Sequence, residues 1–495
     1  MGACYANEML RKRAGLVVLL FIVAACSKPK SVRLVDDAEI DAMKSAVLGA
    51  AEANVHKKCL RTPLRGDASN GPADQDMLSL LDREGPLASC FAAVDSLETT
   101  LSQQGDSSTD IAGLFRKLHN HEISSDAPVS LSAQEQEQFS AIVSSCTALP
   151  SMLSKAVSHE NACSPFLPGR RPMGNLPEAL RMTKGALILS HTLAKAGEHL
   201  EGVQLLLDVL RFGHDLGRGG TSLVEPMLGT SMQFISTPAL DAQVELLTPE
   251  ELLTVAEQLQ ALVATHPHPS AFQQALPAEF SLYYILPAFE PDDWAPPGGY
   301  PEGWERSNVA VGAPGSVERQ GLVLTWIALT RSATELAALC PTGSPMKTCI
   351  ENSAEHSKRS SELAAELSVP ELMKQFTKTK SKARHALREK IIGILASLSL
   401  PSNQKFYRRI AESKVGLVSL RHKVDSLAAL AKGEPCPIPS SFEEPGLAPR
   451  IETEGGKQTL TQPSWLGASS TQPARVLAII TCASSLPSQQ EPTLP

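Results

Sequence analysis

The sequence predicts an all-α protein built from a helical bundle and irregularly stacked helical hairpins. Three observations lead to this fold class. Only 4% of the 495 residues are aromatic while 42% are hydrophobic, which disfavours a β-sandwich or a β-barrel. Apolar residues recur at helical spacing, as in the segment that begins at Leu252. Capping boxes indicate helix starts at Ser132, Thr248 and Ser368, because each is followed by Glu three residues later.

The N-terminal segment has the pattern of an export signal. Basic residues 11–13 precede an apolar run over 14–25 that ends at Val23-Ala24-Ala25-Cys26. A run of this length is too short to cross a hydrocarbon core, which takes about 20 helical residues, and its order is that of a secretory leader.

The end of this leader resembles the lipobox of bacterial lipoproteins, in which the Cys is acylated with fatty acids such as palmitate and becomes the new N-terminus. The resemblance implies a signal peptide over residues 1–25, lipidation of Cys26 and a membrane anchor in the bacterial cell envelope. Ser27 stands where an Asp would favour the inner membrane, so the outer membrane is expected. An ordinary signal peptide with an incidental Cys is the alternative.

Composition divides the remaining chain into three segments. Residues 26–165 are expected to form an N-terminal helical bundle. Residues 166–432 are expected to form the main helical-hairpin domain, which a Pro/Gly-rich, aromatic insert interrupts at 287–316. Residues 433–495 are rich in Pro, Ser and Thr and should be mostly irregular, although the best strand-like alternation in the chain lies at 474–480. No apolar run after the leader is expected to span a membrane.

One hairpin is well defined by its sequence. Helical patterns over 180–196 and 200–216 flank Gly197. Residues 194–207 are similar to the turn and second helix of a tetratricopeptide repeat. Only this unit shows the similarity and no 34-residue recurrence is present, so the resemblance supports hairpin packing and no named family.

Eight cysteines follow Cys26, and an even number in an exported chain predicts disulfides. The candidates are Cys59, Cys90, Cys146, Cys163, Cys340, Cys349, Cys436 and Cys482. Pairing in sequence order is the simplest hypothesis, and the Cys340–Cys349 pair is the best supported because a Pro- and Gly-containing turn separates its members. Burial as free thiols is the alternative.

The insert combines aromatic side chains with carboxylates. Its acidic residues are Glu290, Asp292, Asp293, Glu302 and Glu305. Aromatic platforms with paired carboxylates are typical of glycan-cleaving enzymes, which makes an envelope glycan-directed hydrolase the alternative function. An Ω-loop packed by its own aromatic residues has the same composition, and this packing interpretation is favoured.

Histidines give a weaker signal. His214 and Asp215, with His191 and Asp241, are similar to the ligand set of HD-type phosphohydrolases, which are also helical. Any helical protein of this size offers such pairs, so the favoured interpretation places His214 in a last helical turn as a cation that complements the helix dipole. The His266-Pro-His268 motif is expected in a solvent-facing loop. No metal or other cofactor is predicted.

Charge is distributed unevenly along the chain. Residues 373–432 carry 14 Lys and Arg against three acidic residues, whereas the rest of the chain is acidic. The basic residues proposed for partner binding are Lys374, Lys378, Lys380, Lys382, Arg384, Arg388 and Lys390. An acidic envelope partner or anionic lipid would suit this face, while docking on the protein's own acidic body is the alternative. The export signal makes nucleic acid an unexpected partner.

These observations together predict a lipid-anchored cell-envelope protein with a binding or scaffolding role. No catalytic centre is recognisable in the sequence.

Overall fold

The computed structural model describes thirteen α-helices and five short strands within the part of the chain that it places. The described residues are 35–55, 59–61, 63–64, 69–103, 111, 132–163, 176–218, 224–272, 277, 280–281, 317–341, 343–365, 384–399, 401–437, 447, 449–454, 456–466 and 476–482. The all-α prediction is confirmed.

The helices fall into two groups along the chain. The first group is α1 (Asp37–Val55), α2 (Asp74–Leu80), α3 (Ala88–Gln103), α4 (Ala133–Ser145), α5 (Leu149–Val157), α6 (Leu176–Lys195), α7 (His199–Leu216), α8 (Val224–Gln243) and α9 (Pro249–Ala264). The second group is α10 (Val317–Leu339), α11 (Met346–Ala365), α12 (Arg384–Ser399) and α13 (Pro401–Ala431).

Local signals explain where several helices begin and end. Ser132 caps α4, because its side chain accepts a hydrogen bond from the Glu135 amide and its own amide donates to the Glu135 carboxylate. Thr248 and Glu251 cap α9 in the same way. The capping box at Ser368 lies outside the described residues. Gly197 lies in the turn between α6 and α7 and has a φ of 87°, a backbone conformation that glycine adopts at little cost.

A main core runs through α2–α9 and the C-terminal half of α13. A second cluster joins Phe272 and α11 to the N-terminal half of α13. At 31 residues, α13 is about 46 Å long at 1.5 Å per residue. It therefore contributes to both clusters and connects them.

Two small sheets lie within the part of the chain that the structure describes. Strands β1 (Ser69–Pro72) and β2 (His159–Asn161) pair in parallel. Strands β3 (Arg450–Glu454), β4 (Lys457–Thr461) and β5 (Val476–Thr481) form an antiparallel sheet in that order, and β5 packs on α13.

The expected strand near 474–480 is present as β5. Strands β3 and β4 also lie in segment 433–495, and their mainly charged and polar residues weakened the strand signal. Gly456, with a φ of 77°, forms the turn between them.

The eight described cysteines form four disulfides. Cys340 is bonded to Cys349 and Cys436 to Cys482, in agreement with pairing in sequence order. The other two disulfides are nested, because Cys59–Cys163 encloses Cys90–Cys146. Sequence-order pairing is therefore wrong for these four residues. Packing of α3 beside α4, and of segment 59–61 beside β2, decides the pairing instead.

One described helix contains a stretch, Gly321–Leu339 of α10, that is long and apolar enough to cross a membrane by length and composition. The expectation of no such run was therefore too strict. The core helix of a soluble protein passes the same test, and half of this stretch is buried against its surroundings.

Candidate functional site

A small cavity lies where α7 crosses α8 beside α13. Its lining residues are Gly213, His214, Pro226, Gly229, Thr230, Gln233, His266, Pro267, Phe272 and Ile410. The space has room for about one water molecule. Because two imidazoles, an amide and a hydroxyl group belong to so small a cavity, it is the candidate functional site.

Two glycines bring α7 and α8 together at the cavity. A Cβ built on Gly229 would lie 2.0 Å from the Gly213 carbonyl oxygen, and one on Gly213 would lie 3.0 Å from the Gly229 oxygen. Any side chain here would enlarge the helix separation. The backbone contact therefore determines how closely the walls of the cavity approach.

His266 anchors a chain of polar groups across three elements. One ring nitrogen, Nδ1, lies 2.9 Å from the Pro267 carbonyl oxygen, and Nε2 lies 3.0 Å from Ser413 Oγ on α13. The Ser413 hydroxyl donates to the Gln233 side-chain oxygen. The Gln233 amide nitrogen donates in turn to the Ser413 carbonyl oxygen at 2.6 Å. These bonds connect α8, the loop after α9 and α13.

His214 packs edge-to-face on His266, with ring centroids 5.0 Å apart and an interplanar angle of 81°. His214 is only 2% exposed. Gln233 is its hydrogen-bonding neighbour, yet neither ring nitrogen makes a hydrogen bond of good geometry within the described part of the chain.

Burial and positive neighbours favour the neutral form of both imidazoles. Burial lowers the pKa of His214 well below its usual value, and His266, Arg211 and Arg218 lower it further. Burial also lowers the pKa of His266 to about 3, with Lys414 acting in the same direction. The predicted last-turn position of His214 is correct, but its role as a cation is wrong because a charge there would be buried among other cations.

A buried ionic cluster lies directly beside the cavity. Arg61 Nη2 lies 2.8 Å from Asp215 Oδ2, and Arg218 Nε lies 3.4 Å from Asp215 Oδ1. Arg61 also donates to the Val157 carbonyl at 2.7 Å. Burial raises the pKa of Asp215, although Arg61, Arg211 and Arg218 oppose that effect. The cluster fixes segment 59–61 and the end of α5 on α7.

The Ser413–His266 contact has the chemistry of a nucleophile–base pair, since a serine hydroxyl lies within hydrogen-bonding distance of an imidazole. The hydroxyl is engaged by Gln233, however, and Ser413 is 2% exposed. A cavity of about one water molecule suits buried solvent better than an organic substrate. The geometry therefore indicates a polar joint between helices.

A metal-ligand arrangement occurs elsewhere, at the start of α11. The ligand atoms of His268, Cys340 and Cys349 lie within 4.8 Å of one another. The two sulfurs are bonded to each other, so neither is a thiolate available to a metal.

The set that is similar to HD-type phosphohydrolases is not assembled among the described residues. Asp215 pairs with Arg61 and Arg218, while Asp241 accepts from Lys423 at 3.1 Å.

The His266-Pro-His268 loop does not face solvent as expected. Both histidines are only partly exposed. His268 Nε2 lies 2.9 Å from the Ser344 carbonyl oxygen, and His266 reaches Ser413. Pro269 begins a short 3-10 helix, Pro269–Phe272, and the preceding loop directs both rings into the protein.

The other predicted site residues are placed only in part. Cys26 and the insert carboxylates Glu290, Asp292, Asp293, Glu302 and Glu305 lie outside the described residues, as do Lys374, Lys378, Lys380 and Lys382. Arg384 begins α12. Arg388 forms an ion pair with Glu39 of α1, and Lys390 is exposed.

Sequence reasoning missed Ser413 and Gln233 altogether. They are 180 positions apart, and each lies in an ordinary helical pattern with no local motif. Buried polar residues on apolar helix faces were the available signal, but many side chains share it.

Comparison of the chain with protein-family models, curated proteins and solved structures gives no match. The residues and their contacts therefore carry the functional assignment.

Proposed function

We propose that this chain is a lipid-anchored protein of the bacterial cell envelope with a binding or scaffolding role. The observation that carries the proposal is the pairing of all eight cysteines that follow Cys26 into four disulfides. Disulfides persist in oxidising compartments such as the periplasm and the cell surface. This agrees with an export leader that ends in a lipobox-like Cys, and an outer-membrane location is part of the proposal.

The scaffolding role is supported by the way in which α13 connects the two core clusters. Disulfides, the buried Arg61–Asp215 pair and the polar joint at His266 all tie distant segments together. Such cross-connections favour a fixed shape that presents surfaces to a partner.

Lipidation is tested with Cys26→Ala in cells fed an alkyne analogue of palmitate. Loss of the label and transfer of the protein from the membrane to the soluble fraction are expected, because an acyl chain supplies the membrane affinity. Cys4→Ala is the matched control, since Cys4 precedes the apolar run, and it should leave both readouts unchanged. A Cys26→Ala protein that remains labelled and membrane-bound would refute the anchor.

The partner is proposed to be an acidic envelope component or anionic lipid that contacts the basic segment 373–432. Gln substitution at Lys378, Lys380, Lys382 and Arg384 should weaken binding to vesicles that contain phosphatidylglycerol. Wild-type binding should also fall with salt, since the Debye length decreases from about 10 Å at 0.1 M to about 3 Å at 1 M.

Gln substitution at four lysines outside the segment, Lys57, Lys58, Lys195 and Lys347, provides the charge-matched control. Unchanged vesicle binding together with a lower melting temperature of the first variant would show internal docking instead. Arg388 and Lys423 already contact carboxylates of α1 and α8, so they are left intact.

A further inference from the structure

We propose that the His214–His266 cavity is an acid-sensitive joint, at which proton uptake by either imidazole releases α13 and the loop after α9 from α7 and α8. Two aromatic rings that can each gain a charge lie 5.0 Å apart at the place where these four elements meet. The proposal does not depend on the membrane anchor.

The charges around the pair oppose a further positive charge. From α7, Arg211 and Arg218 act on His214. From α13 and the loop, Lys414 and His268 act on His266. Asp215, the residue after His214 on α7, is a nearby carboxylate among the described residues, but it is already shared by Arg61 and Arg218.

The remaining wall offers little compensation for a charge. Gln233 and Thr230 of α8 line the cavity, and neither side chain titrates. The buried carboxylate of α8, Glu225, adjoins the lining residue Pro226, but the charged groups that shift the pKa of His214 and His266 are all basic. An imidazolium in this space would therefore gain stability by reaching water, which requires the helices to separate.

The sign of the pH effect follows from this arrangement. A histidine in an opened segment takes up its proton near pH 6.5, whereas the closed joint lowers the pKa of both histidines below that value. Above pH 6.5 the open and closed forms hold the same number of protons and the joint is insensitive to pH. Below it, opening becomes about tenfold easier for each pH unit and each histidine.

Hydrogen–deuterium exchange followed by mass spectrometry tests the joint from pH 7.0 to pH 4.5, with exchange times corrected for the intrinsic rate. Peptides from 224–243 and 401–420 should lose protection by at least tenfold between pH 6.5 and pH 4.5. Peptides from 176–190 of α6 should keep theirs. His214→Phe, which retains an aromatic ring without a titrating group, should reduce the pH dependence at least tenfold.

His199→Gln is the matched control, because it removes a histidine from the opposite end of the same helix. It should behave as wild type. Equal pH dependence in His214→Phe and wild type, or parallel loss of protection in α6, would overturn the proposal.

A second measurement covers the case in which His214→Phe does not fold. Side-chain NMR of wild-type protein labelled with ¹³C at histidine should show neutral imidazoles for His214 and His266 at pH 5.5, and His266→Gln should remove one of these signals. Titration of His214 and His266 near pH 6.5 without any change in exchange would refute the joint.

Discussion

Substitution of Gly229 by Ala should be among the most damaging one-methyl changes that this protein can undergo. The new Cβ would lie 2.0 Å from the Gly213 carbonyl oxygen and 2.8 Å from its carbon, whereas ordinary contact begins at 3.4 Å. Both opposing atoms are backbone, so no side-chain rotation can relieve the overlap. Helices α7 and α8 must move apart by about 1.4 Å in a closely packed interior.

The expected cost follows from two opposed contributions. Overpacking of a core costs about 1–3 kcal/mol and sometimes more. Replacing a helical Gly with Ala returns about 1 kcal/mol of helix propensity. Because the contact is backbone to backbone, we place the overpacking at or above the upper limit, which leaves a net destabilisation of about 2–4 kcal/mol.

Urea unfolding followed by far-UV circular dichroism measures the effect against two comparison variants. Gly213→Ala should be milder, since its closest contact is 3.0 Å. Gly416→Ala, in α13 with nothing within 4 Å of the added carbon, should be stabilising by about 0.5–1 kcal/mol. The predicted order of urea midpoints is Gly416→Ala, wild type, Gly213→Ala, Gly229→Ala. A Gly229→Ala protein as stable as Gly416→Ala would show that the helices are not in backbone contact.

Three further predictions concern buried charge, disulfides and alkaline pH. Asp215→Asn should lower the free energy of unfolding by about 3–5 kcal/mol, because it leaves buried guanidinium groups without their carboxylate. Asp425 forms a half-exposed pair with Arg421, so Asp425→Asn should change the free energy of unfolding by less than about 1 kcal/mol. Similar urea midpoints for the two variants would contradict a stabilising role of the ionic cluster. Replacing both members of Cys59–Cys163 with Ser should lower the free energy of unfolding by about 4–5 kcal/mol in the chain-entropy account, against about 2–3 kcal/mol for Cys340–Cys349. The difference arises because the first disulfide closes a much longer loop. The reverse order of urea midpoints would argue against that account. Burial raises the pKa of Tyr407 above its usual value of 10.0, so just above pH 10 this phenol ionises only in the unfolded chain. The free energy of unfolding should therefore be lower by about 1.4 kcal/mol at pH 11 than below pH 10. Tyr407→Phe should lack this loss in urea titrations at pH 9 and pH 11, and an identical loss in both proteins would exclude Tyr407 as its source.

Local features were predictable because their causes are local. The capping boxes at Ser132 and Thr248 depend on residues three positions apart, and both form as expected. Gly197 interrupts a helical pattern, and the turn lies there. Cys340 and Cys349 are nine residues apart on either side of a turn, so the chain itself brings them together.

The candidate site could not be predicted because its members meet only through tertiary packing. His266 and Ser413 are 147 residues apart, and no local pattern connects a loop after α9 with the middle of α13. Histidine burial was misjudged for the same reason. A loop that contains two prolines is usually exposed, but here α13 covers it.

The nested disulfides have a consequence for how the chain matures. If the protein is exported N-terminus first, Cys59 and Cys90 emerge before either of their partners. An early oxidant would join them to each other, because the shorter loop closes more easily. The final pairs, Cys59–Cys163 and Cys90–Cys146, would then require exchange through a thiolate attack on that first bond. We therefore expect the yield of folded protein to depend on a disulfide isomerase and not only on an oxidase.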